Sequence, residues 1–191
     1  MQASTDASSE AYLLAVKTSG YSSGTATTAI VDTNVKITSA SGTLSATAVY
    51  GAVWNDYAEY RQTNTKIEPG RCVHELGNDT LELTTKRLER GCEIVSDTFG
   101  FAIGETEKSK TPIAATGRAL VYLYEGREAA MTHIGWPVCS GPDGTVSIMT
   151  EEEEEKYPSR IIGTISEVPT YEVWHGGTDV EVNGRVWIRI R

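Results

Sequence analysis

Apolar and polar side chains alternate along most of this chain, with the period of two that is typical of β-strands. In the N-terminal part the alternation is seen at residues 12–17, 29–37 and 43–50, and turns rich in serine, threonine and glycine separate these segments. Patterns with the helical period are scarce. The sequence therefore predicts an all-β fold, with an extended, β-rich N-terminal arm over residues 1–50 followed by a β domain over residues 51–191.

The end of the chain carries the clearest local signal. Asn183 and Gly184 stand between two alternating runs, which is the strongest short-range signature of a β-hairpin with a two-residue turn. Such a turn sets Val180 opposite Trp187 in the neighbouring strand. We therefore expect the final strand to be tied into the sheet by this hairpin.

The β domain contains three short motifs that occur twice in the same order, and each motif contains a glycine. The matching segments are residues 68–73 and 133–138, residues 101–106 and 161–166, and residues 116–121 and 183–188. This pattern predicts a duplicated unit, over residues 68–124 and 133–191, whose strands wrap around a shared core as a barrel-like or β-clip domain.

One short helix is predicted between the strands of the β domain. Thr150 is a good N-cap residue, the five glutamates after it suit the positive end of the helix dipole, and Pro158 ends the helix. We interpret the glutamates as a solvated helix start, because calcium loops interleave their oxygen ligands with glycine. A further helical turn is expected over residues 125–132.

Composition separates the arm from the domain. The first fifty residues hold eighteen serine or threonine residues and only five charged residues. Short strands of such small side chains bury too little surface to offset the loss of chain entropy on their own. Two interpretations stay open: a disordered linker, or an intertwined segment of a homo-oligomeric fibre in which small residues let three chains approach closely. The β-branched alternation favours the second interpretation.

The net charge of −9 limits the classes of partner. Most of this charge comes from residues 51–191, and it disfavours nucleic acid, whose binding needs clustered lysine and arginine, as well as anionic membrane surfaces. No apolar segment approaches the roughly 20 residues that a membrane-spanning helix needs, and the N-terminus lacks the features of a signal peptide. We expect a soluble protein without membrane insertion.

The residues that usually bind metals or cofactors form no complete motif. Cys72, Cys92 and Cys139 are far apart in the sequence, and only the spacing of Cys72 and His74 resembles half of a zinc site. No glycine-rich phosphate loop and no nucleophile elbow is present. We therefore predict no metal and no cofactor, and we interpret the three thiols as reduced and structural.

The candidate for chemistry is the segment from Asn55 to Glu59, at the boundary between the arm and the domain. Strand geometry sends Asp56 and Glu59 to opposite faces, so they form a carboxylate pair within one chain only if a turn intervenes. Between neighbouring chains of a trimer they can meet. The simplest interpretation is two charges at the entrance of the domain, one of them paired with Arg61.

Two motifs resemble a known family. The segment from Trp54 to Tyr60, which reads Trp-Asn-Asp-Tyr-Ala-Glu-Tyr, and the strand at residues 161–169 are similar to the C-terminal domain of bacteriophage tailspikes and pre-neck appendages. This is the glutamic-type autoproteolytic intramolecular-chaperone family. The resemblance implies a domain that helps three chains to assemble and then cuts itself off between Asn55 and Asp56, with Glu59 as the catalytic group.

The residue before the aspartate differs from the family pattern, which has a serine where this sequence has Asn55. A serine can cleave the chain through an acyl shift, whereas an asparagine can do so only if its side-chain amide attacks its own carbonyl. That reaction gives a succinimide, with Glu59 or Asp56 assisting the proton transfers. Self-cleavage predicts two bands from freshly expressed protein, and replacement of Glu59 by alanine leaves one.

These observations together favour a structural function. We expect a virion protein, made in the host cytoplasm, that is the C-terminal module of a phage tail fibre or appendage, forms homotrimers, caps the fibre and contacts other phage fibre or tail proteins. One alternative is a self-cleaving intramolecular chaperone with the site described above. Another is a receptor-binding tip, in which Trp136, Trp174 and Tyr171 form a stacking surface for a host glycan.

Overall fold

The chain divides into two compact units, Met1–Ala52 and Val53–Arg191. The computed structural model describes the backbone of three strands in the first unit and, with side chains, residues 55–176 and 179–191 of the second. Trp54, the first residue of the motif quoted above, therefore lies outside the described residues.

The first unit contains an antiparallel sheet in the order β1-β2-β3. Its strands are β1 (Glu10–Ala15), β2 (Ile30–Thr38) and β3 (Thr43–Ala46). The three strands predicted in the arm are thus confirmed, since each lies within two residues of its predicted start. The winding of this segment with other copies of the chain stays a prediction.

The second unit consists mainly of strands, which confirms the predicted all-β fold. These strands are β4 (Asp56–Thr63), β5 (Cys72–Gly77), β6 (Thr80–Leu83), β7 (Cys92–Val95), β8 (Phe99–Ile103), β9 (Thr111–Val121), β10 (Pro137–Ser140), β11 (Val146–Ile148), β12 (Gly163–Glu167), β13 (Val173–His175), β14 (Asp179–Glu181) and β15 (Val186–Ile190). All of them except β13 and β14 join one ten-stranded sheet.

Five strands of this sheet close into a ring, here called the first ring. β4 pairs in parallel with β6 and antiparallel with the first half of β9. β5 lies between β6 and β7, and β7 completes the ring by pairing with β9. The interior holds Val73, Leu81, Val95 and Ile113, packed with Ile67. Closure gives most of these strands a partner on both sides, so few backbone hydrogen-bonding groups are left at an edge.

A second ring of the same design follows, and it shares β9 with the first. The second half of β9 pairs with β15, β15 pairs with β12, β12 pairs with β10, and β10 pairs with β11. The ring closes where Leu123, just beyond β9, forms a parallel bridge with Val146 of β11. β9 is therefore the last strand of one ring and the first strand of the next.

Matching hydrogen bonds recur in the two rings. The backbone N–H of Gly70 donates to the carbonyl of Val95 at 2.7 Å, and the N–H of Gly135 donates to the carbonyl of Ile165 at the same distance. Both glycines have a positive φ of nearly the same size, 86° and 87°, which a residue with a side chain rarely adopts. Four pairs of core residues occupy corresponding strand positions in the two rings: Val73 and Val138, Leu81 and Val146, Val95 and Ile165, and Ile113 and Ile188. The second residue of each pair lies in the larger hydrophobic core.

The rings divide the chain differently from the predicted repeats. The segments at residues 68–73 and 133–138 do lead into corresponding strands, β5 and β10. The segments at residues 101–106 and 161–166 do not correspond, because β8 lies at the end of the strand order beside β4, whereas β12 is inside the second ring. The strand that matches β12 is β7. The sequence match misled here because both segments share a strand-like Ile-Gly motif without sharing its partners.

The predicted C-terminal hairpin is wrong. Asn183 and Gly184 do form a tight turn with positive φ values of 50° and 75°, and the N–H of Arg185 donates to the carbonyl of Val182 at 2.9 Å. The strands beyond the turn separate, however, since β14 pairs with β13 and β15 pairs with β9 and β12. Val180 consequently lies opposite Trp174.

The strands separate after this turn because β15 is paired on both edges, with β9 and with β12, so no edge is left for β14. Arg185 anchors the end of the turn: its side chain is buried, and its guanidinium donates to both carboxylate oxygens of Asp97 at 2.9 Å and to the carbonyls of Glu181 and Val182. A buried guanidinium needs such partners, since an unpaired charge is costly to remove from water.

Both predicted helical segments are confirmed. The helices are α1 (Gly126–Thr132) and α2 (Glu151–Lys156). Thr150 is the N-cap of α2 and forms a capping box with Glu153. Arg87 holds the carboxylate of Glu153 at 2.6 and 2.7 Å, and this contact lowers the pKa of Glu153 to about 2. Within the described residues, no helix has the length and apolar character needed to cross a membrane.

The three cysteines are free thiols in the second unit. Cys72 and Cys139 are buried, and burial raises the pKa of Cys139 to about 11, so this thiol stays protonated at neutral pH. Cys92 is half-buried beside Cys72, whose thiol hydrogen-bonds to it and lowers its pKa.

Candidate functional site

The bond between Asn55 and Asp56 lies where the described part of the second unit begins. Asp56 is the first residue of β4, and it pairs with Gly117 of β9. The two backbones approach so closely that a side chain at Gly117 would place its Cβ 2.3 Å from the carbonyl oxygen of Asn55 and 2.6 Å from the Cα of Asp56. Only glycine allows this contact, and its φ of 107° also requires glycine.

Asn55 is held through its backbone and its side chain by the residue after Gly117. Its carbonyl oxygen accepts a hydrogen bond of 2.7 Å from the backbone N–H of Arg118. Its side-chain Oδ1 accepts a second bond, of 3.2 Å, from Nε of the same arginine. The residue is buried, with 8 % exposure, yet its Nδ2 has no hydrogen-bond partner among the residues that the structure describes.

Asp56 is more deeply buried, with 2 % exposure. Its Oδ1 accepts a 2.9 Å hydrogen bond from the hydroxyl of Thr98, while Oδ2 is buried and has no hydrogen-bond partner within the described part of the chain. Burial and, to a smaller extent, the nearby charge of Asp97 raise the pKa of Asp56 to about 6, against the lowering effect of the Ser96 and Thr98 hydroxyls. About half of this carboxyl is therefore protonated at pH 6 and about a tenth at pH 7.

Arg118 is fixed on the sides that do not face Asn55. Its Nη1 donates to Glu167 at 3.0 Å, and its guanidinium carbon lies 5.0 Å from the ring centre of the buried Trp187. Tyr171 connects these partners, since its hydroxyl donates to Glu167 at 3.1 Å and accepts from Nε1 of Trp187 at 2.7 Å. The second ring thus positions a guanidinium against the first residues of the first ring.

The structure does not bring Glu59 to this bond. Strand alternation buries Asp56 and exposes Glu59, and their Cα atoms are about 10 Å apart in an extended strand. Glu59 instead lines a cavity of about 310 Å³ together with Arg61, Glu93 and Arg191. As the sequence predicts, the two carboxylates form no pair within one chain.

Arg61 does not pair with Asp56 or Glu59, which corrects the simplest interpretation of this segment. Its guanidinium contacts Glu75 at 2.8 Å, Asp79 at 2.7 Å and Glu93 at 3.3 Å. Burial raises the pKa of Glu93 despite this contact. Glu75 lies in β5, Glu93 in β7 and Asp79 between β5 and β6, so these contacts depend on long-range strand pairing.

The geometry at Asn55 places a hydrogen-bonded carbonyl and a buried carboxyl on the two sides of one peptide bond. A carbonyl that already accepts a short backbone hydrogen bond is polarised, and a donor in that position stabilises negative charge on the oxygen if the carbon is attacked. A buried carboxyl with a raised pKa can both donate and accept a proton. Both features lie on one peptide bond.

The fold is shared with a bacteriophage protein. A solved structure of pre-mature bacteriophage phi29 gene product 12 matches this chain with a TM-score of 0.54 and 15 % sequence identity, over 82 % of this chain and 24 % of that chain. The chain thus spans about a quarter of the length of phi29 gene product 12, and a likeness at this identity shows the fold alone. No family model and no curated protein matches the sequence.

The three aromatic residues predicted to stack on a glycan do not form one exposed surface. Tyr171 and Trp174 pack on Trp187, with the two indole centres 5.5 Å apart and edge-on. Trp136, which is 36 % exposed, instead lies edge-on to His133 at 4.8 Å. Two of the three residues are therefore core packing, and glycan binding stays a prediction without further support.

Sequence reasoning found Asn55 and Asp56 but missed Gly117, Arg118 and Thr98. A signal for the first two was present, because a Gly-Arg pair occurs three times in the repeated motifs, at Gly70-Arg71, Gly117-Arg118 and Gly184-Arg185. In each case the arginine is buried or half-buried and donates several hydrogen bonds. Nothing in the sequence around Thr98 marks it as a partner of Asp56.

Proposed function

We propose that this chain is a structural module of a phage virion, the C-terminal part of a tail fibre or appendage protein that holds three chains together. Homotrimers, contacts with other fibre or tail proteins and a place in the virion all belong to this proposal. The observation that carries it is the fold shared with phi29 gene product 12 over most of the chain. The motif containing Asp56 and Glu59 supports it independently, because it comes from sequence.

Sedimentation velocity tests the assembly part of the proposal. The 191-residue chain, measured over a tenfold range of concentration, is expected to sediment as a particle of three chains. A particle of one chain at every concentration contradicts the proposal. Mass spectrometry of purified virions tests the place of the chain in the virion, and the chain is expected among the proteins detected.

A second function is favoured by the geometry at Asn55. We infer that the module cuts its own chain once, between Asn55 and Asp56, and so releases whatever precedes it. Three observations support this inference. The bond lies three residues beyond the boundary between the two units. The carbonyl of Asn55 on one side of it accepts a hydrogen bond from Arg118, and the carboxyl of Asp56 on the other side is buried and has a raised pKa.

Self-cleavage is tested by N-terminal sequencing of freshly expressed protein. The expected product is a fragment that begins at Asp56. Replacement of Asn64, an exposed asparagine just beyond the other end of β4, by alanine serves as a control and leaves the cleavage unchanged. A chain that stays intact through purification and prolonged incubation rules out self-cleavage, while leaving the assembly role to be judged by sedimentation.

A further inference from the structure

Two of the three cysteines meet on one face of the first ring. Cys72 of β5 lies opposite Ile94 of β7, and Cys92 of β7 lies opposite His74 of β5, so the two cysteines are diagonal neighbours in the antiparallel ladder. Diagonal neighbours share a face of the sheet, and their Cα atoms are roughly 7–8 Å apart with the Cβ atoms closer. Both cysteines pack in the larger hydrophobic core, whereas Val73, the next residue along β5, packs in the interior of the first ring.

The two thiols differ in burial and in protonation. Cys72 is fully buried, and burial raises the pKa of its thiol well above the ordinary value. Cys92 is half-buried and accepts a hydrogen bond from the Cys72 thiol, and this bond lowers the pKa of Cys92 although burial opposes the effect. Cys72 therefore keeps its proton, while Cys92 forms the thiolate more readily, and the thiolate is the nucleophilic form of cysteine.

Cys92 is also the thiol that a small molecule can reach. It lines the same cavity of about 310 Å³ as Glu59, with Ile190 of β15 on another wall. A cavity of this size admits a small neutral oxidant such as hydrogen peroxide. Cys72 lies beside Cys92 in the core, where it can react with the oxidised sulfur. An accessible thiolate next to a second thiol is the arrangement typical of cysteines that undergo reversible oxidation.

We propose that Cys92 and Cys72 form a redox-active pair, in which a peroxide oxidises Cys92 and Cys72 then closes a disulfide between β5 and β7. The proposal is independent of the assembly and the self-cleavage proposed above. It replaces the sequence-based interpretation of these two thiols as purely structural. Cys139 keeps the structural role, because it is buried and its pKa of about 11 leaves it protonated.

The reaction needs one peroxide molecule and no other reactant. The Cys92 thiolate attacks one oxygen of the peroxide and the O–O bond breaks, which leaves a sulfenic acid on Cys92. The departing hydroxide combines with the proton that Cys92 had lost. The sulfur of Cys72 then attacks the sulfur of Cys92, the S–O bond breaks, and the second hydroxide takes the proton of Cys72. Two thiols and one peroxide thus give one disulfide and two water molecules.

A bridge between diagonal neighbours is expected to be easily reduced. Disulfides form most readily when the two Cα atoms are roughly 4.4–6.8 Å apart, and diagonal positions lie slightly beyond this range. Closing the bridge therefore draws β5 and β7 together by about 1 Å, and strain of this kind makes a disulfide more reducible. We expect the pair to cycle between dithiol and disulfide instead of remaining cross-linked.

Mass spectrometry of the full chain after treatment with hydrogen peroxide tests the proposal. The treated protein is unfolded and alkylated, either directly or after reduction with dithiothreitol. The expected product has lost two hydrogen atoms, and it takes up one alkyl group, at Cys139, before reduction and three after it. Peptide mapping is expected to join Cys72 to Cys92. Three alkylated thiols without reduction, a sulfinic acid on Cys92 beside a free Cys72, or a bridge to Cys139 overturns the proposal.

Three variants separate the roles of the thiols. Cys72→Ala leaves the sulfenic acid of Cys92 without a partner, so dimedone is expected to label Cys92 at least about tenfold more strongly than in the wild type. Cys92→Ala is expected to keep both remaining thiols reduced, and Cys139→Ala, the matched control, forms the bridge at the wild-type rate. Absence of dimedone labelling in Cys72→Ala, or loss of the bridge in Cys139→Ala, overturns the assignment. Circular dichroism checks the folding of each variant, and the wild-type measurement decides the matter if a variant does not fold.

Discussion

Gly117 is the residue on which the position of the Asn55–Asp56 bond depends. No other residue fits there, because a Cβ would overlap the backbone of the opposite strand and because φ is 107°. The hydrogen bond between the carbonyl of Asn55 and the N–H of Arg118 exists only while the two strands keep this distance. A single missing side chain therefore sets the geometry of the proposed reaction.

Gly117→Ala is expected to lower the free energy of unfolding by about 3 kcal/mol or more, since positive φ and backbone overlap add together. Gly126→Ala is the matched control, because Gly126 also has a positive φ, of 83°, but open space around it. It is expected to cost about 1 kcal/mol. Equal costs for the two variants in urea unfolding would show that the close approach is absent.

The carboxyl of Asp56 predicts a pH dependence of stability. Its pKa rises from 3.8 to about 6 on folding, so the folded state binds the proton more tightly than the unfolded chain does. The stabilisation is fully present below about pH 4 and is lost as the pH rises through 6. It amounts to about 3 kcal/mol.

Comparison with Asp56→Asn isolates this contribution. Both chains carry Asn55→Ala so that they stay intact during the measurement. The unfolding free energy of the chain with Asp56, minus that of the chain with Asn at this position, is expected to fall by about 2.4 kcal/mol between pH 4 and pH 7. A difference that stays constant over this range would mean that Asp56 titrates normally in the folded protein.

At the scale of elements, local signals in the sequence predicted local structure well. Thr150 caps α2, and Asn183 and Gly184 adopt the positive φ values that their turn chemistry favours. Pairing between strands was predicted less well, because it depends on contacts that are distant in the sequence. The C-terminal turn shows why: β15 pairs with β9 and β12 instead of β14, and Arg185 beside the turn binds Asp97, which is 88 residues away.

The ion pair between Arg185 and Asp97 is expected to contribute strongly to the stability of this region. Asp97→Ala leaves a buried guanidinium without its carboxylate and should lower the unfolding free energy by about 2 kcal/mol, less than for a fully buried pair because Asp97 is 29 % exposed. Asp179→Ala removes an exposed carboxylate nearby and should change stability by less than about 0.5 kcal/mol. Chemical denaturation of both variants checks this, and similar values would contradict the assigned role.

At the scale of the whole molecule, the two rings explain how distant parts of the sequence meet at one bond. β9 belongs to both rings, and Arg118 lies where it passes from one to the other. The candidate bond could be predicted from sequence because a short motif marks it. Arg118 and Thr98 could not, because only the closure of the rings brings them to Asn55 and Asp56.

The central claim is that three copies assemble and that each then cuts its own chain between Asn55 and Asp56. Mass measurement of one fresh preparation, under native and then denaturing conditions, tests both parts together. The account predicts a native particle of three chains that separates, on denaturation, into a fragment ending at Asn55 and a fragment beginning at Asp56. A native mass of one chain that stays intact when denatured would contradict it.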